Sequence, residues 1–189
     1  TDHVGGLVGR SESGSITTSH SSASITGDYD IGGLVGSNFG SIASSYSSGL
    51  VSGATGGGGL VGSDWRMTLD GGVCGTTITS FWDTETSGQV ESAGGIGKTT
   101  AEMRTASTLL DAGWDFVGET ANGTEDIWKI AEGLDYPRLW WEPYDGQVTC
   151  ELGQLFTVTL ESNPSTGYRW EWVDHQDSIV EQMGEAQFK

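Results

Sequence analysis

Gly5-Gly6-Leu7-Val8-Gly9 recurs as Gly32-Gly33-Leu34-Val35-Gly36 and again as Gly58-Gly59-Leu60-Val61-Gly62, so the chain returns to one local pattern after 27 and then 26 residues. A self-similar period of this length is the signature of a solenoid, in which each repeat is one supersecondary unit stacked on the last. Each copy is followed by a segment bounded by glycines: Gly14 to Gly27, Gly40 to Gly53 and Gly75 to Gly88. The three segments align without gaps, placing Ile16, Ile42 and Thr77 in one column, Ser19, Ser45 and Ser80 in a second, and His20, Tyr46 and Phe81 in a third. The third copy carries an insertion, roughly Asp64 to Cys74.

Serine, threonine and β-branched residues between tight glycine turns favour short strands, and a short strand cannot bury its face alone. Stacking equivalent coils at about 4.8 Å supplies the partners. The spacing predicts an inward ladder of Leu7, Leu34 and Leu60 and an aligned row of Ser19, Ser45 and Ser80.

The pattern resembles the GLUG-motif repeats of large bacterial surface proteins, carried here by the three pentapeptides and most clearly by Gly40 to Gly53. That resemblance covers about residues 1–90 and implies an extracellular or cell-surface β-solenoid, flanked by further repeats of the same parent chain, that acts as a non-enzymatic adhesion or structural scaffold. Thr1 to Val4 run straight into a repeat, which reads as a cut in a longer chain.

From Phe81 onward glycine thins and tryptophan appears at 82, 114, 128, 140 and 141. Residues 91–143 read as a tryptophan-rich cap suited to covering an open solenoid end. Thr99-Thr100-Ala101-Glu102 is a capping-box sequence, which predicts one helix of about twelve residues with Met103, Ala106, Leu109 and Leu110 on its apolar face and Gly113 at its stop. Asp126 to Ile130 and Arg138 to Trp141 read as short strands around Tyr136-Pro137. Gly94-Gly95-Ile96-Gly97-Lys98-Thr99 resembles the end of a phosphate-binding loop, but Ser92 stands where that pattern needs glycine and no αβ alternation surrounds it, so a turn into a capped helix accounts for the same residues. The tryptophans are either core or a platform for surface glycans, with Asp126 or Asp135 to hold hydroxyls. Asn122-Gly123-Thr124 fits a glycosylation sequon and marks an exposed loop.

After Pro143 the pattern changes once more. Gln147 to Glu151 and Leu155 to Glu161 alternate as strands, a dense turn follows at Ser162 to Gly167, and Tyr168, Trp170 and Trp172 alternate beyond it. These are the opening strands of an immunoglobulin-like sandwich at 144–189. Asn163-Pro164-Ser165-Thr166-Gly167-Tyr168-Arg169-Trp170, preceded by Leu152-Gly153-Gln154, resembles the first half of a chagasin-type cysteine-peptidase inhibitor. The resemblance implies that Asn163, Pro164, Ser165, Thr166 and Gly167 form a loop laid non-covalently into the cleft of a papain-like peptidase. Ser165 replaces the usual threonine, and the family's second and third loops have no counterpart before Lys189.

Composition excludes several classes. The chain has 189 residues, 31 glycines and only 3 prolines, which rules out collagen. Its 26 acids against 8 bases, net −18, exclude a basic nucleic-acid footprint. The acidity serves solubility, loose Ca²⁺ binding or life in a salty habitat, although no calcium motif is present, and no other cofactor is indicated. No stretch is apolar enough for a membrane helix. Among the serines and the three histidines, His3, His20 and His175, there is no nucleophile elbow, so no catalytic residue is assigned. Cys74 and Cys150 lack metal-ligand spacing and are either one disulfide or two free thiols.

Overall fold

The computed structural model describes residues 3–53, 57–64 and 75–142. The chain divides into two compact units, Thr1–Asp145 and Gly146–Lys189. The second unit lies outside the described residues, and with it the sandwich strands, Cys150 and the Asn163 to Gly167 loop; so do Cys74 and all but Asp64 of the expected insertion.

The first unit is mainly β, and its strands stack as parallel ladders. Val4–Gly5, Ile31–Gly32 and Gly57–Gly58 form one ladder, and Val8–Ser11, Val35–Asn38 and Val61–Ser63 the next. Ser15–Thr17, Ser41–Ala43 and Thr76–Ile78 form the third; His20–Ser21, Tyr46–Ser47 and Phe81–Asp83 form the fourth, which Ile96–Lys98 extends. Ile25–Gly27 and Val51–Gly53 complete the turn. Partners in the second and third coils are 26 residues apart at Ser37 and Ser63 but 35 apart at Ser45 and Ser80. Nine extra residues are therefore accommodated after Ser63 without loss of register.

The pentapeptide is dictated by close approach. A Cβ on Gly32 would lie 1.9 Å from the carbonyl oxygen of Val35, and one on Gly59 would lie 1.9 Å from Cδ1 of Trp82. No side chain fits either place, so the motif's first two glycines allow the tight bend and the interior packing.

Leu34, Val35, Ile42, Leu60, Val61 and Trp82 fill the coil interior, with Ile25, Ile31 and Val51 as a second cluster. The leucine ladder forms in the backbone, where the Leu7 amide donates to Leu34 O and the Leu34 amide to Leu60 O. Leu7 itself is 51% exposed, because among the described residues no coil stacks on its outer side. Burial of that residue needs a neighbour on both sides, as Leu34 has.

The serine row forms as expected. The Ser19 amide donates to Ser45 Oγ and the Ser45 amide to Ser80 Oγ, each at 3.2 Å, while each Oγ donates to the carbonyl two residues before it. The preceding residues, Thr18, Ser44 and Thr79, all take positive φ, at 51°, 47° and 43°. That conformation is costly for non-glycine residues, threonine above all, and the hydroxyl row holds the corner against the strain.

Gln89 to Lys98 make a shortened final rung. The Gly59 amide donates to Glu91 O, Ala93 N to Val61 O, and Ile96 N to Ser80 O. Ser92 Oγ accepts from both Leu60 N and Val61 N, at 3.1 and 2.9 Å, where within the stack a leucine carbonyl receives the equivalent pair.

The tryptophan-rich segment follows, and it lies along the flank of the coils, while the short rung covers the end. The His20, Tyr46 and Phe81 side chains face outward, and Met103, Leu109, Trp114, Phe116 and Trp128 pack over Tyr46 and Phe81. A continuous twelve-residue helix does not form. The capping box is present, with the Glu102 amide donating to Thr99 Oγ1 and the Thr99 amide to the Glu102 carboxylate, but α2, Thr100–Met103, stops at Arg104 and α3, Ala106–Leu110, begins anew. The break is held by other partners: Ala106 N donates to Glu132, Gly133 N to Arg104 O, and Thr105 Oγ1 to Ala101 O. A further short helix, α1, spans Thr84–Ser87. The two expected strands pair over Trp128–Lys129 and Arg138–Leu139 only.

Candidate functional site

Chemistry-bearing side chains gather where the flank meets the fourth ladder. His20 stacks on Tyr46 at 5.1 Å with its ring nearly parallel, and Tyr136 stacks on Tyr46 at 6.1 Å. Tyr46 OH donates to Pro137 O at 2.6 Å, and burial raises its pKa far above the ordinary phenol range, so it is a neutral donor at any physiological pH.

Asp83 is the hub of this junction. Its Oδ1 accepts from the amides of Glu85 and Thr86, capping α1, and its Oδ2 accepts from Thr100 Oγ1 at 2.7 Å and Tyr136 OH at 2.6 Å. Burial alone would raise its pKa, but these four donors outweigh burial and hold it below the usual carboxylate value. Its four acceptor positions are filled, so it serves the fold and is not poised for acid–base work.

At the other end of the ladder, His20 Nε2 lies 2.9 Å from Glu142 Oε2. Burial of Glu142 would raise its pKa; the bonds from His20 and the Leu139 amide outweigh it and lower the value.

A cleft of about 400 Å³ opens beside the strained corners, lined by Thr18 and Ser44 on the coil side and by Gly113 to Asp115, Asn122 to Glu125, Ile127 and Trp128 on the flank. Asp115 is buried at 7% exposure; its Oδ2 accepts from Glu125 N at 2.9 Å, while its Oδ1 has no hydrogen-bond partner. Gly123 closes on that carboxylate, since a Cβ there would come within 2.3 Å of Oδ2. Asn122, the residue of the sequon, commits its amide hydrogens to Leu110 O and Trp114 O. The loop around it is largely exposed, as expected, yet this side chain is a structural tie.

The expected glycan platform is divided. Trp114 and Trp128 are 1% exposed and stack on each other at 4.6 Å within the core, whereas Trp140 and Trp141 are 61% and 62% exposed. Asp126 accepts from Gly118 N and Asp135 is paired with Arg138, so both proposed hydroxyl holders already have protein partners. The phosphate-loop residues are spent on the fold, Ile96–Lys98 as a strand and Thr99 as a helix cap. Lys98 pairs with Glu102 at 3.2 Å. Among the described residues no three His, Cys, Asp or Glu side chains converge to hold a metal, and no helix is long and apolar enough to cross a membrane. The cleft itself was missed in the sequence. Its only written signal is the polar run Asn122 to Asp126, which looks like any surface loop.

Comparisons with known proteins fall on the two parts separately. The model of the GLUG motif matches residues 2–26, the first coil, and that of the chagasin family of peptidase inhibitors, I42, matches residues 149–189. A curated relative from Evansella cellulosilytica, described as a putative Gly-rich membrane protein, is 38% identical over 136 residues. That alignment takes in 71% of this chain and 11% of the relative, so the chain spans about a tenth of that protein's length. No solved structure matches the chain. A GLUG motif thus forms the first coil, the second coil repeats it strand for strand, the third repeats its first four strands before α1 replaces the fifth, and residues 149–189 match the chagasin family.

Proposed function

We propose that this chain is a non-enzymatic scaffold segment of a larger surface protein, its coils forming an arm that displays a following module and supports adhesion. The observation that carries this reading is the parallel in-register stacking of three coils, the first of which matches the GLUG motif, an architecture that builds length and lateral surface. The membrane-protein description of the Evansella relative supports a place at the cell envelope. The best-buried carboxylate at the junction, Asp83, is consumed by structural hydrogen bonds, which agrees with a scaffold. Antibody raised to the 189-residue chain should label intact cells producing the full-length parent, and external protease should remove the label. Labelling that requires permeabilised cells would overturn the reading.

The match of 149–189 to the chagasin family favours a second function for the displayed module, inhibition of papain-like cysteine peptidases. Asn163 to Gly167 would occupy the peptidase cleft without covalent chemistry, and because ordering a loosely held loop costs binding energy, tight inhibition would need the strands that complete the module in the parent protein. Titration of papain with the parent protein tests this: reversible inhibition that weakens on Thr166→Ala supports it, and full papain activity at saturating protein rejects it.

A further inference from the structure

We infer that Asn122-Gly123 is a latent deamidation site, protected by the way the Asn122 carboxamide is docked, and that its conversion releases the loop from Asp115 to Asp126. This modification is independent of the scaffold and inhibitor readings.

The chemistry is intrinsic to the dipeptide. The Gly123 backbone nitrogen attacks Asn122 Cγ, the Cγ–Nδ2 bond breaks, and ammonia leaves with the proton that the Gly123 amide gives up. Water then opens the cyclic imide, leaving aspartate by cleavage at Cγ or isoaspartate by cleavage at the main-chain carbonyl. A side chain on the following residue hinders ring closure, and glycine has none. Of the chain's three asparagines, Asn38 precedes Phe39 and Asn163 precedes Pro164, so Asn122 alone precedes glycine. The fold itself demands that glycine: Gly123 has φ of 152°, and a Cβ there would come within 2.3 Å of Asp115 Oδ2. Both residues line the cleft of about 400 Å³, and Thr124 and Glu125 after them are exposed, so water reaches the site.

Docking restrains the reaction. Asn122 Nδ2 donates to Leu110 O at 2.7 Å and to Trp114 O at 3.2 Å, and ammonia cannot leave until it has let go of both carbonyls. The backbone is held as well, since the Glu119 carboxylate accepts from the amides of Phe116, Ala121 and Asn122. Reaction therefore proceeds from a locally opened loop, at a rate reduced by the rarity of that opening.

The product cannot dock again. A carboxylate offers no hydrogen to the two carbonyls; Leu110 O keeps the Gly113 amide as a donor, whereas Trp114 O keeps none among the described residues. An unsatisfied carbonyl facing a new negative charge favours the open loop.

The test is peptide mapping by mass spectrometry of the 189-residue chain aged at mildly alkaline pH, folded and in concentrated urea. Aspartate plus isoaspartate at position 122 should accumulate at least about tenfold more slowly in the folded chain. Glu119→Ala loosens the loop without touching the reacting residues; it should speed the folded reaction about tenfold and leave the rate in urea unchanged. Equal rates in the folded chain and in urea, or a folded rate unaffected by Glu119→Ala, would overturn the protection. Asn122→Asp is one of the two products, and hydrogen exchange at the Glu125 amide, which donates to Asp115, should quicken about tenfold in it. Exchange as slow as in the parent would overturn the release of the loop. Should Asn122→Asp fail to fold, the aged parent, separated from the intact chain by its extra negative charge, carries the same readout.

Discussion

The hydroxyl of Tyr136 donates to Asp83 Oδ2 at 2.6 Å across 53 residues of sequence, joining the tryptophan-rich flank to the third coil. Hydrogen bonds to charged groups contribute about 1.5–3 kcal/mol each. Tyr136→Phe keeps the ring that stacks on Tyr46 and removes the hydroxyl that makes this bond, so unfolding in urea should show a loss within that range. A loss below about 0.5 kcal/mol, the scale of a neutral surface change, would mean that the contact does not tie the two parts together.

Acid should loosen the same junction. Asp83 and Glu142 both have pKa values lowered in the folded chain, Asp83 through four donors and Glu142 through His20 and the Leu139 amide, in each case against the effect of burial. A group with a depressed folded pKa contributes stability that is complete above its unfolded value and lost as pH falls through the folded one. Urea midpoints should therefore drop as pH falls below about 4, the ordinary carboxylate range. Glu142→Gln should flatten part of that slope, and a slope identical to the parent's would show that Glu142 does not contribute.

The coil was legible in the sequence because its causes are local. Each glycine of the pentapeptides stands where a side chain would collide with backbone or with Trp82, and Ser45 and Ser80 of the aligned row sit where a hydroxyl bridges two coils. The flank was only half legible. Its capping box could be read at Thr99, but the break after Met103 depends on Glu132 and Gly133, which reach back from a distant loop. The outward ring column was visible as His20, Tyr46 and Phe81, yet whether it faced solvent or a partner depended on where the tryptophans would land. The cleft was not legible at all. It exists only where the Asp115 loop meets corners laid down far earlier in the sequence, at Thr18 and Ser44, and no pattern along the chain encodes that meeting.

Position within the serine row should set the cost of losing a hydroxyl. Ser45 Oγ accepts from the Ser19 amide and donates to Ala43 O, which keeps the Thr18 amide as a second donor, so Ser45→Ala strands the Ser19 amide between coils. Leaving a buried polar group unsatisfied costs about 1–3 kcal/mol. Ser19 lies on the first of the described coils, and its Oγ donates to Thr17 O within an exposed turn. Ser19→Ala should cost less than Ser45→Ala in parallel thermal melts. Equal costs would show that the bridging between coils adds nothing to the turn itself.

The final rung separates two readings of one residue. Ser92 occupies the place where a phosphate-binding loop would need glycine, so if Gly94 to Thr99 cradled a nucleotide, Ser92→Gly would complete the pattern and leave the fold undisturbed. In the structure the Ser92 hydroxyl accepts from the amides of Leu60 and Val61 and donates to Gly94 O at 2.7 Å, substituting for the carbonyl that the next full coil would have supplied. Both amides belong to fully buried residues, so Ser92→Gly should remove two acceptor contacts at once and cost about 2–3 kcal/mol. Hydrogen exchange should quicken at Leu60 and Val61 before it does at Leu34 and Val35, whose amides are received by the Leu60 carbonyl in the interior of the stack. A variant as stable as the parent that gains affinity for ATP would restore the nucleotide reading and remove the serine from its role as the cap of the ladder.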